Sequence, residues 1–199
     1  LTLIQNAYDR LGLYEESAKV SRIILSKDPI NTVALSKLSG SLLNLGRIRE
    51  AKSTLDELMK HNPDNRLSNQ IYFNYELLYK KDRQAAWRII NNFEKLYPGE
   101  NDFQRAILLA LEGKKSESLA LSDNFVIYCL LGMKKEAKEK FISVKDLPEF
   151  RNAFDYMSTK DFWLIDLIRD EPEYIQFEQE AKALYELRKE KYSGIIVSP

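Results

Sequence analysis

Gly12 and Gly46 stand 34 positions apart, and so do Pro29 and Pro63; Pro98 follows 35 positions after Pro63. Between those marks the residue types repeat in register, with Leu11-Gly12-Leu13-Tyr14-Glu15-Glu16-Ser17-Ala18 answering Leu45-Gly46-Arg47-Ile48-Arg49-Glu50-Ala51-Lys52. A glycine between two apolar-periodic stretches marks a chain reversal, and a proline beyond the second stretch stops it. The stretch 32–63 therefore reads as two amphipathic helices joined at Gly46 and ended by Pro63, one unit of an array. A single helix pair cannot cover its own apolar face, so consecutive pairs are expected to stack.

These residues resemble the tetratricopeptide repeat family. Ser17 and Ala51 stand where that family's helices cross closely. The resemblance implies an all-α fold, a right-handed α-α superhelix or solenoid with its concave surface lined by the first helix of each pair. It also implies a protein or peptide partner held in that concavity.

The units expected from the period are 1–31, 32–65, 66–98, a compressed 99–122, and 123–148, followed by an aromatic-rich helical cap over 149–199. In the first unit Leu3, Ile4, Ala7, Tyr8 and Leu11 form the opening stripe, and Ala18, Ile23 and Ile24 or Leu25 the second. The next unit uses Leu35, Leu38, Leu42 and Leu45, then Ala51, Leu55, Leu58 and Met59. The third carries one extra residue, placed before Asn69, and turns through Lys80 to Arg83 without glycine. Ala85, Ala86, Trp87, Ile90, Phe93 and Leu96 furnish its second helix. In the fourth, Phe103 to Leu111 and Gly113 lead into Ser116 to Leu121, too short for a full second helix. Asp123 is expected to cap the fifth, whose Gly132 to Ala137 restores the turn pattern. Pro172 opens a last helix with Tyr174, Phe177, Ala181 and Leu184 as its stripe, covering the apolar end left after Phe141.

The run Ile168-Arg169-Asp170-Glu171-Pro172-Glu173-Tyr174 is similar to the Leu-Arg-Asp-Asp-Pro-x-Phe element that closes the arrays of bacterial nucleotide-cyclase and winged-helix regulator proteins. That likeness implies a sensory or dimerising tail of a larger signalling protein, with the groove filled by the parent chain. Leu1 falls partway into the first repeat's opening helix, so the chain is expected to be a fragment of something larger.

Composition narrows the function classes. The 199 residues carry 30 Lys and Arg against 30 Asp and Glu, for zero formal net charge. A phosphate-backbone partner is therefore not expected. The longest apolar run, Phe125 to Leu131, is far below the roughly 20 residues that span a bilayer, so no membrane insertion is expected. Cys129 is alone, which excludes an intramolecular disulfide and favours a cytoplasmic home.

No catalytic set emerges. His61, the one histidine, precedes Asn62-Pro63 at a helix end, where it can meet the last carbonyls. Cys129 sits in the apolar Val126-Ile127-Tyr128 stretch as a small hydrophobe. Gly113-Lys114-Lys115-Ser116 lacks the spacing of a phosphate-binding loop. Neither a metal nor a cofactor is expected, and the chain reads as non-catalytic.

What remains is the concave face. Its expected lining is Asn6, Asp9 and Arg10 in the first unit and Ser36, Gly40, Leu43 and Asn44 in the second, then Ile71, Tyr75, Leu78 and Tyr79, then Phe103 and Ile107. The surface passes from polar to apolar along its length. Family members that grip a terminal carboxylate use Lys and Asn on successive opening helices; Asn6 and Lys37 fit, but Gly40 stands where the second Asn belongs. Two readings stay open: Tyr75, Tyr79 and Phe103 anchor an extended or helical partner segment, or they pack against neighbouring helices and the aromatic tail. A homodimer or a contact with upstream domains is the other partner expectation.

Overall fold

The computed structural model of the chain describes residues 1–195, which are helical with no strand among them. Three long pairs come first: α1 (Thr2–Arg10) with α2 (Tyr14–Lys27), α3 (Thr32–Asn44) with α4 (Ile48–His61), and α5 (Arg66–Asn74), extended by a π-helical turn (Tyr75–Tyr79), with α6 (Arg83–Leu96). Two shorter pairs follow: α7 (Asp102–Leu111) with α8 (Lys115–Leu121), and α9 (Phe125–Leu130) with α10 (Lys134–Val144). The C-terminal part comprises α11 (Pro148–Ala153), α12 (Tyr156–Thr159), a 3₁₀ turn (Trp163–Ile168) and α13 (Pro172–Tyr192). From α1 to α8 each helix packs on its neighbours in sequence, as α9 does on α10 and α12 on α13, and the first helices of adjacent pairs also meet, α1 with α3, α3 with α5 and α7 with α9.

One turn is built four times. Gly12, Gly46, Gly113 and Gly132 all lie in the left-handed region, at φ 72°, 72°, 76° and 70°. After each, the next amide reaches back five residues to a last-turn carbonyl, Leu13 to Tyr8, Arg47 to Leu42, Lys114 to Leu109 and Met133 to Tyr128, each at 2.9 Å. This closes the orphan carbonyls of the first helix and reverses the chain. Five positions beyond each glycine stands a small, fully buried residue: Ser17, Ala51, Ser118 and Ala137. Ala86 holds the same place in the third pair, five beyond Lys81, the one non-glycine residue with positive φ among the described residues, at 56°.

The third pair also corrects the placement of the extra residue. The N-caps Asn31 and Asn65 are 34 apart, and each accepts from the amide three residues on. The insertion therefore lies after Asn65. The π turn absorbs it, with Asp82 N–H reaching back six residues to Glu76 O at 2.9 Å.

Other expectations shift by a face or a residue. Leu3 is 84% exposed and Ala7 is also outside, because α1 turns Gln5 and Tyr8 inward, Gln5 bonding to Ser21. Leu96 is half exposed on α6. Asn124 rather than Asp123 caps α9, accepting from Val126 N–H at 2.9 Å, while Asp123 holds Tyr128 and Lys140.

The C-terminal part packs as a second core. Phe141 meets Tyr174 and Phe177 at 5.5 Å and Phe150 at 6.0 Å, and Phe125 meets Phe150 and Phe154. The Ile168 to Tyr174 run closes this core. Ile168 and Tyr174 are buried, Arg169 donates to Lys160 O and Phe162 O, and Lys134 and Lys138 grip Glu171. Leu184 is exposed at 38%; the stripe of α13 passes instead through Tyr185, which meets Tyr156 at 5.8 Å. Beyond it, Arg188 donates to Leu11 O and Tyr192 packs near Tyr8. The last helix thus bridges from the fifth pair back to the first.

Candidate functional site

The facing sides of α3 and α5 are covered in part by the segment 154–163, which leaves a partly open cavity of about 340 Å³ between them. Gly40, Leu43, Asn44 and Gly46 supply one wall, Ile71, Asn74, Leu78 and Tyr79 a second, and Phe154, Met157, Ser158, Thr159, Asp161, Phe162 and Trp163 the third.

Hydrogen bonds to helix ends hold the walls together. The last-turn carbonyls of a helix lack intrahelical partners. Tyr79 donates to Leu43 O at 2.9 Å, tying the second pair to the third, and Trp163 Nε1 donates to Leu78 O at 3.3 Å, tying the covering segment to the π turn. Burial, helped by the charge of Asp161, pushes the Tyr79 hydroxyl up to about 12, so it remains a donor at neutral pH.

At the other end, Asp155 latches the covering segment to the first pair. Its Oδ2 accepts from Tyr14 at 2.6 Å and its Oδ1 from Ser158 N–H at 3.0 Å, which also caps α12. Gly12 makes that approach possible, because a Cβ there would stand 3.1 Å from Asp155 Oδ1. Burial and then the Asp155 charge drive the Tyr14 pKa upward, fixing the hydroxyl as donor.

The expected groove residues divide. Leu43, Asn44, Ile71, Leu78 and Tyr79 line the cavity, with Gly40. Tyr75 and Ile107 are buried, Tyr75 in the aliphatic cluster of the first three pairs and Ile107 in the aromatic one. Phe103 is 37% exposed and away from the cavity, as are half-buried Asn6 and exposed Arg10; Ser36 is buried. Lys37 is not free for a ligand carboxylate, since Asp9 Oδ2 holds its ammonium at 2.6 Å. Asp9 Oδ1 also accepts from Ser17 at 2.5 Å. A carboxylate of the chain itself thus stands where a captured one would be needed.

Sequence reasoning missed Asn74 and every residue of the covering segment as cavity wall. The density of aromatics at Phe150, Phe154, Phe162 and Trp163 is the available signal; it suggests an end cap and packing against Tyr75, Tyr79 and Phe103, of which only Tyr79 shares the cavity with that segment.

Burial pushes the lone Cys129 thiol up to about 12, which disfavours the nucleophilic thiolate. No group of three or more His, Cys, Asp or Glu side chains able to hold a metal occurs among the described residues. No helix among them is long and apolar enough to cross a membrane. Comparison with protein-family models, curated proteins and solved structures returns no match.

Proposed function

We propose that this chain is a non-catalytic protein-interaction module, a right-handed tetratricopeptide-type superhelix whose inner face receives a segment of a partner protein. The carrying observation is the cavity between α3, α5 and the covering segment, largely apolar and rimmed by Asn44, Asn74 and Ser158. An apolar recess with a few convergent polar groups is the usual form of a recognition site. The recurring left-handed turn with a small buried residue five positions on supports the repeat assignment.

Panning a displayed random-peptide library on the protein tests the reading. Enrichment of a sequence family that binds wild type, and binds at least tenfold more weakly to Tyr79→Ala with folding retained, supports it. Failure to enrich, or binding indifferent to Tyr79→Ala, contradicts it.

A second reading, a dimerising tail of a larger signalling protein, is favoured by Leu184 and Leu187, 38% and 59% exposed one turn apart on α13. Light scattering of wild type against Leu187→Lys decides it; a monomer at high concentration excludes self-association through this helix.

A further inference from the structure

Gly40 sits in the middle of α3, where glycine is disfavoured relative to alanine. Neither usual reason for glycine applies. Its φ lies outside the left-handed range, and nothing lies within 4 Å of the position a Cβ would take. Gly40 lines the cavity together with Leu43 and Leu78, and its missing side chain leaves that stretch of wall open.

Size and charge restrict the occupant. The cavity of about 340 Å³ has room for one large side chain. The single carboxylate of the lining, Asp161, is paired with Lys160 at 2.9 Å, and Lys81 stands 5.5 Å over the Trp163 ring. No cation lines the cavity and its one carboxylate is paired, so the lining favours a neutral guest over an ionic one. The aromatic faces of Phe162 and Trp163 suit an aromatic guest. The half-buried carboxamides of Asn44 and Asn74 each provide a donor and an acceptor, the pair of functions a peptide backbone presents.

We propose that the cavity is an anchor pocket for one neutral aromatic side chain of an extended peptide, with Gly40 as the position that keeps it open and Asn44 and Asn74 meeting the flanking peptide amides. The proposal rests on the partner-binding reading above and names its ligand.

Trp163 supplies the test, in a Trp87→Phe background that leaves it as the sole fluorophore of its kind. Titrating N-acetylphenylalaninamide is expected to change its emission saturably, with N-acetylalaninamide and N-acetylglutamate amide at least tenfold weaker. Gly40→Leu, which fills the space and improves the helix, is expected to abolish the response without lowering the melting temperature. Asn74→Leu, independent of cavity filling, is expected to weaken binding about 3- to 10-fold, the loss of one hydrogen bond. A wild type without a saturable response, an acidic probe binding as well as the aromatic one, or Gly40→Leu folded and binding like wild type overturns the proposal. A protein that enriches peptides in panning yet ignores the aromatic probe fails here and leaves the module reading intact; one that does neither removes both.

Discussion

The first three pairs and the last two solve the same problem with different material. In the first three, second helices of 14 residues lie along the first helices, and the cluster centred on the second pair is aliphatic, Leu35, Leu38, Leu42, Leu55 and Leu58 with Tyr75 as its one buried aromatic, while Ala86 and Ile90 of α6 turn to the other side. In the fourth pair α8 has only 7 residues, too short to cover α7 and α9. The missing cover comes from the C-terminal part, and the cluster there is aromatic: Phe125, Phe141, Tyr174 and Phe177, with Phe150, Phe154 and Trp163 against it. The third pair is the seam, since Ile71 and Tyr75 face the first cluster while Phe73 and Leu77 face the second. A series of helix pairs can thus shorten one second helix when a distant segment returns to cover the exposed surface, and here that segment also covers part of α3 and α5.

The largest expected effect breaks the aromatic side alone. Phe177 is 3% exposed, and Phe177→Ala should cost about 3 to 5 kcal/mol in urea unfolding. A loss below 1 kcal/mol would mean that α13 is a detachable arm rather than cover.

Next come the turns, where the two ends of the regular region differ. Gly46→Ala places a side chain in the left-handed region with open space around it and should cost about 1 to 2 kcal/mol. Gly12→Ala should cost more at the same φ, because its methyl meets Asp155 at 3.1 Å. Equal losses would mean that the covering segment does not rest on the first turn. Lys81→Gly relieves φ 56° but removes the ammonium over Trp163, so its gain should fall short of the full left-handed penalty.

The smallest effect is pH-dependent. Tyr174 is 1% exposed, its hydroxyl makes no hydrogen bond of normal geometry, and burial, opposed by Arg169 and by a weak contact with Thr159, pushes its pKa up to about 12. A tyrosine whose pKa is higher folded than unfolded contributes stability that is complete below about pH 10 and lost as pH rises towards 12. Tyr174→Phe should be neutral to slightly stabilising at pH 7 and should flatten that alkaline decline, worth roughly 2 to 3 kcal/mol, in melting curves from pH 8 to 12. An unchanged decline would place the titrating group elsewhere.

The all-helical class and the reversals at Gly12, Gly46, Gly113 and Gly132 were legible because each turn depends on one residue able to hold positive φ and one small enough to be crossed. The insertion in the third pair was not, since Tyr75-Glu76-Leu77-Leu78-Tyr79 reads as ordinary helix and its π turn has no compositional marker. Leu43, Asn44, Ile71, Leu78 and Tyr79 were legible as inner-face positions from helical periodicity. The roof was not: Tyr14 and Asp155 are 141 positions apart, and no local pattern pairs them. Leu3 and Ala7 misled because α1 spends its inward face on Gln5 and Tyr8.

The central claim is that the C-terminal segment closes over the inner face and latches to the first pair. A double-mutant cycle with Tyr14→Phe and Asp155→Asn measures that latch directly, because the two side chains meet at 2.6 Å in the folded chain. Hydrogen bonds to charged groups contribute about 1.5 to 3 kcal/mol, so a coupling energy of at least about 1 kcal/mol is predicted. Additivity of the two single losses within about 0.3 kcal/mol would contradict the closed arrangement.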